Sequence, residues 1–214
     1  MDWTRQIDAY CERTDPGLWA EPVNALTNVA FVLAAIVMWR RGADLPLARA
    51  LALVLGAIGV GSFLFHTRAT VWASLADVLP IVAFILLYIY AANRAFWRLG
   101  RIPALLIAAL FLPFAAATAP LFGQIPGLGS SSAYAPVPVL IGVYALLLRR
   151  RAPATAGGLA LGAALLILSL TFRTLDGPLC AVTQFGTHFL WHLLNGVMLA
   201  WMIEVYCRHE RAAR

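Results

Sequence analysis

Seven long apolar stretches, separated by short segments rich in arginine, leave this chain few folds to choose from. They cover residues 24–39, 47–65, 70–92, 102–119, 133–148, 156–172 and 183–206. A helix needs about 20 apolar residues to cross the hydrocarbon core of a bilayer, and these runs approach or exceed that length. Inside lipid every backbone polar group must be satisfied by the chain itself, so only helices and closed barrels can span it. Barrel strands alternate apolar and polar residues, whereas these runs are continuously apolar. The expected fold is therefore all-α: a polytopic integral membrane protein, a seven-transmembrane helix bundle. The fifth run has a short strictly apolar part, with Pro136 and Pro138 near its start, where proline costs a helix least. Only 12% of the residues are charged, about half the share usual in soluble domains. With 214 residues, seven spans leave no room for a separate soluble domain. The expected organisation is an outward N-terminal segment at 1–23, a helical domain at 24–207 and a cytoplasmic tail at 208–214. The first apolar run lacks a basic flank and a cleavage site, so it is read as a span and not as a removed signal peptide.

The net charge of +6 does not point to nucleic acid, because the basic residues are clustered between spans and not along one binding face. All sixteen are arginines. Twelve fall at junctions that seven spans place on one side: Arg40, Arg41, Arg49, Arg94, Arg98, Arg101, Arg149, Arg150, Arg151, Arg208, Arg211 and Arg214. Arg5, Arg13, Arg68 and Arg173 fall on the other. By the positive-inside rule the C-terminus is cytoplasmic and the N-terminus outside. The absence of lysine fits a bacterial inner-membrane protein, whose outer side is the periplasm.

Ionisable groups within spans are costly and usually functional. Here they fall at one depth. His66 ends the second run at its outer side, Asp77 lies about two turns into the third, and His188 and His192 lie near the outer start of the seventh. His188 and His192 are four residues apart and share a helical face. With His66 they supply three imidazoles, which leaves the fourth position of a tetrahedral zinc ion open, the arrangement of catalytic sites. Ser62 shares the face of His66. The HExxH signature of soluble zinc proteases is absent, since Phe189 follows His188. Packing or interfacial hydrogen bonds would account for any one of these histidines, but less readily for three histidines and an aspartate at one depth.

Two further groups lie on the outer side. Asp8, Glu12, Asp15 and Glu21 form an acidic stretch whose oxygens suit calcium, although a solvated acidic tail has the same composition. Cys11 and Cys180 also map outside and either pair or remain thiols, whereas Cys207 maps inside.

These residues resemble one family from Tyr10 to Gly196. The motifs are Cys11-Glu12, the stretch Glu21-Pro22-Val23-Asn24-Ala25-Leu26-Thr27-Asn28, the stretch Gly61-Ser62-Phe63-Leu64-Phe65-His66 with Asp77 eleven residues on, and His188-Phe189-Leu190-Trp191-His192. The chain resembles the alkaline ceramidases, seven-helix enzymes of a wider hydrolase superfamily that includes adiponectin-receptor-like proteins. The resemblance implies zinc held by His66, His188 and His192, with Asp77 as general base and Ser62 beside the reaction centre. It also implies a Cys11–Cys180 clasp and a calcium ion on Glu12 and Glu21, with Asp8 and Asp15 as further candidates. The sequence departs from the family pattern at three places. Ala9 stands where the family has aspartate, the stretch between Glu12 and Glu21 is about two residues shorter, and Arg173 replaces a frequent tryptophan.

The implied activity is zinc-dependent cleavage of the amide bond of ceramide or a ceramide-like N-acyl lipid, giving a fatty acid and a long-chain amine. The substrate partner is a membrane lipid, and no protein partner is readable. A seven-helix lipid receptor with a structural zinc, a transporter, and a hydrolase of another lipid ester or amide are the competing readings.

Overall fold

The computed structural model describes residues 2–214. Its helices are α1 (Pro22–Thr27), α2 (Val29–Arg41), α3 (Pro46–Arg68), α4 (Val71–Phe96), α5 (Arg101–Phe122), α6 (Pro136–Leu148), α7 (Pro153–Leu179) and α8 (His188–Ala212). A break at Asn28 separates α1 from α2, and the two form the first of seven helical stretches long and apolar enough to cross a membrane. The seven-span bundle is as expected, but several boundaries move, and the seventh helix runs on to Ala212, into the expected tail. The sixth span runs on to Leu179 through Asp176 and Pro178, and the seventh begins at His188 instead of Thr183. Prolines 80, 113 and 120 sit inside α4 and α5 without ending them. Membrane helices tolerate this because neighbouring groups re-satisfy the freed backbone.

Helix α8 is the hub. It packs against α1, α2, α3, α4 and α7, and 56% of its apolar window is buried, against 11% for α5, which lies at the periphery. Small residues let the backbones approach, as expected where lipid supplies no hydrophobic drive between helices. Gly158 and Gly162 of α7 face Val205 and Met202 of α8, and Gly196 of α8 faces Ala30 of α2. The closest approach is between α3 and α4. At Gly61 any Cβ would strike the Ala76 carbonyl, so only glycine permits the spacing that sets Ser62 beside Asp77. Large apolar side chains such as Leu33, Leu53, Leu79, Ile102 and Leu110 face outward, where lipid is their natural solvent.

The two ends of the bundle differ in chemistry. At one end Glu204 pairs with Arg41 and Arg208, each at 2.8 Å, and Asp44 pairs with Arg211 at 2.7 Å and Arg214 at 3.0 Å. At the other end residues 2–21 fold against the mouths of the helices. Gln6 forms an isolated antiparallel bridge with Thr70, and the Ile7 amide donates to the Ala69 carbonyl at 2.7 Å.

Candidate metal and catalytic centre

His66 lies in the last turn of α3, His188 opens α8, and His192 follows one turn later. All three are buried, and one ligand nitrogen from each lies within 4.8 Å of the others. Among the described residues no other group of histidine, cysteine and carboxylate side chains converges in this way. His66 Nε2, His188 Nδ1 and His192 Nε2 are buried atoms with no hydrogen-bond partner in the protein. A buried polar atom without a partner is costly, and three imidazole nitrogens facing one point suit zinc. The residues therefore fit the ion.

Polar partners fix two of the rings. His66 Nδ1 lies 2.6 Å from Glu21 Oε2, and with Nδ1–H donating to that carboxylate, the lone pair is left on Nε2. The Thr27 hydroxyl donates to the Val23 carbonyl at 2.8 Å. It therefore accepts from His192 Nδ1 at 2.9 Å, which again frees Nε2. Tyr10 stacks on His188 with ring centroids 3.7 Å apart, and burial holds its phenol above the usual range, so it stays protonated. Thr27 and Tyr10 were not among the expected site residues. Their partners lie some 165 and 178 positions away in the chain, and no local pattern announces such pairs.

Asp176 is the other residue the sequence reading missed. Its carboxylate accepts the amide of Thr187 at 2.7 Å, that of His188 at 2.9 Å and that of Cys11 at 3.0 Å. It thus caps the first turn of α8 from another helix and ties the N-terminal segment to the same point. Cys11 and Cys180 are joined by a disulfide with Cα atoms 5.3 Å apart. Gly186, in the left-handed region at φ +60, closes the turn into α8, where a side chain would run into Asp176 and Cys11.

Ser62 of α3 and Asp77 of α4 line one apolar cavity with Phe31, Phe84, Trp191 and Met198. Phe84, Ile85 and Val137 carry that space on toward Tyr88, Ile89 and Met202, deeper between α4, α6 and α8. A carboxylate and a hydroxyl thus face an apolar cavity, with further apolar cavities beside it. Arg173 sits at its rim, 5.1 Å from the Tyr134 ring and 5.7 Å from the Trp191 ring.

The four acidic candidates for calcium do not come together. Asp8 is exposed. Glu12 accepts the amides of Val23 at 2.6 Å and Asn24 at 2.8 Å, and burial raises its pKa above the usual carboxylate range. Asp15 accepts the amide of Gly17 at 2.6 Å. Glu21 divides its oxygens between Arg13 and His66. Burial would raise its pKa, but the hydrogen bonds from His66 and Arg13 and the positive guanidinium outweigh that and lower it.

A family model described as Ceramidase matches residues 9–213. Curated proteins return no match.

Proposed function

Because the chain belongs to the ceramidase family, we propose that it is a zinc-dependent hydrolase that cleaves the amide bond of ceramide or a ceramide-like N-acyl lipid within the membrane. One observation carries the reading: three buried, unpartnered imidazole nitrogens converge, and Ser62, one turn before His66 on α3, lines an apolar cavity together with Asp77. A zinc ion on these histidines would polarise the substrate carbonyl and make water acidic enough to attack at neutral pH.

The chain's own residues do the rest. The cavity between α4, α6 and α8 takes a hydrocarbon chain and leaves the amide at Asp77. Asp77 takes a proton from the attacking water as the C–O bond forms. It then gives that proton to the amide nitrogen as the C–N bond breaks, so the products are a carboxylic acid and an amine. Ser62 has a single hydroxyl proton: it holds Asp77 in the resting site and turns toward the carbonyl oxygen as negative charge develops there and Asp77 takes up the water proton. Glu21 and Thr27 hold the two rings whose nitrogens must stay aimed at the ion.

The arginine-rich end of the bundle supports a cytoplasmic placement, which would put this centre toward the outer side of the membrane. The test is the purified protein offered a panel of lipid amides and esters, with released fatty acid read by mass spectrometry. Asp77→Asn is expected to keep its zinc and lose turnover by at least about a hundredfold. Full activity in that variant would remove Asp77 from the chemistry, and activity on esters alone would overturn the amide assignment. A receptor with a structural zinc would hydrolyse nothing in either form.

A further inference from the structure

The acidic N-terminal segment holds a cation, and that cation is Arg13. The Arg13 side chain is only 4% exposed and pairs through Nε with Glu21 Oε1 at 2.6 Å. Its Nη1 donates to the carbonyls of Asp15 at 3.3 Å and Gly17 at 3.4 Å, and its Nη2 donates to the His66 carbonyl at 3.3 Å. One carboxylate oxygen and three main-chain carbonyls, from a loop and from a helix end, are the kind of hard oxygen set that otherwise collects round calcium. A guanidinium meets the same set with its fan of N–H donors.

The neighbouring carboxylates are not available to a second cation. Both oxygens of Glu12 accept main-chain amides. Glu21 Oε2 already faces His66 and the Asn24 side-chain amide. A divalent ion at Glu21 would have to displace a buried positive charge that is covalently tethered in place. The calcium site that the family resemblance implies therefore does not fit these residues.

We propose that Arg13 is a built-in replacement for calcium, so that the N-terminal segment closes over the metal centre without that ion. Through Glu21 it also positions His66, itself one of the three candidate metal ligands. The proposal is independent of the hydrolase reading, because its test involves neither zinc nor turnover.

The experiment uses full-length, disulfide-intact protein in detergent micelles, stripped of calcium. It compares thermal unfolding and calcium content with and without about 10 mM calcium, roughly ten times the weakest dissociation constants of extracellular calcium modules, with magnesium as the ionic-strength control. The wild type is expected to retain no stoichiometric calcium after dialysis and to melt at the same temperature in both salts. One calcium per chain, with a melting temperature raised by calcium and not by magnesium, would overturn the proposal. Arg13→Ala is expected to lower the melting temperature and to speed hydrogen exchange across residues 12–20. An Arg13→Ala protein that melts and exchanges like the wild type would equally overturn it. Should Arg13→Ala not fold, Arg13→Gln, which keeps one N–H fork without the charge, carries the same comparison.

Discussion

Replacing Asp176 with alanine tests how the first turn of α8 is held, and with it the aim of His188. Its carboxylate, 3% exposed, accepts three main-chain amides, from Thr187, His188 and Cys11. Leaving a buried donor unsatisfied costs about 1–3 kcal/mol, and loss of a helix N-terminal cap about 0.5–2 kcal/mol. The Thr187 and His188 amides are the capped pair, and the Cys11 amide adds the third loss. Together these give a destabilisation of roughly 1.5–5 kcal/mol for Asp176→Ala. Asp176→Asn keeps an acceptor for the two α8 amides at Oδ1 but points an amide group at Cys11. It should lose only the third bond, about 1–2 kcal/mol. The assay is reversible unfolding in mixed micelles with the Cys11–Cys180 bond intact, alongside zinc content per chain. Alanine should deplete zinc as well as stability, and asparagine should largely keep it. An alanine variant within about 1 kcal/mol of the wild type, or an asparagine variant as damaged as alanine, would refute the capping argument.

Gly61→Val should force α3 away from α4 at the Ala76 carbonyl and pull Ser62 from Asp77. A misplacement of about 1 Å costs on the order of a hundredfold in rate, so lipid hydrolysis should fall by about that factor while zinc remains bound. Glu21→Gln should weaken zinc binding about 10–100-fold, read by competition with a chromophoric chelator, because His66 loses the carboxylate that holds its tautomer. The orientation is tested by single cysteines in a Cys207→Ser protein that keeps its disulfide. An impermeant thiol reagent on intact cells should label Val182→Cys, at a position 80% exposed, and spare Arg150→Cys. The reverse pattern would place the centre toward the cytoplasm.

The spans could be read in the sequence because hydrocarbon imposes one requirement on every residue of a run. The three histidines and Asp77 could be read because polar groups at one depth stand out against that background. What holds them could not. Thr27 and Asp176 look like ordinary helix residues, and their roles come from contacts across most of the chain. Glu21 shows the opposite failure. Its acidic neighbourhood resembles an ion site, but the deciding residue is Arg13, a cation lying between Glu12 and Asp15 in the same stretch. Composition counts such a residue as a charge and cannot tell that it occupies the place. The start of α8 was misplaced for a similar reason. Thr183 begins the apolar run, but the turn at Gly186 and the Asp176 cap decide that the helix starts at His188.

The placement of the ligands also fixes an order of events as the chain is made. His66 and Asp77 ride on the second and third spans and the residues that brace His66 precede the first, whereas His188 and His192 ride on the seventh. While the ribosome is still making the middle of the protein, the early helices present half a binding site that no ion can fill. Only when α8 slots into the centre do the last two rings arrive, beside the cysteine that closes onto the N-terminus. Metal uptake at this cluster would thus follow the arrival of α8, and a chain truncated before α8 would lack two of the three rings, however well its first spans insert.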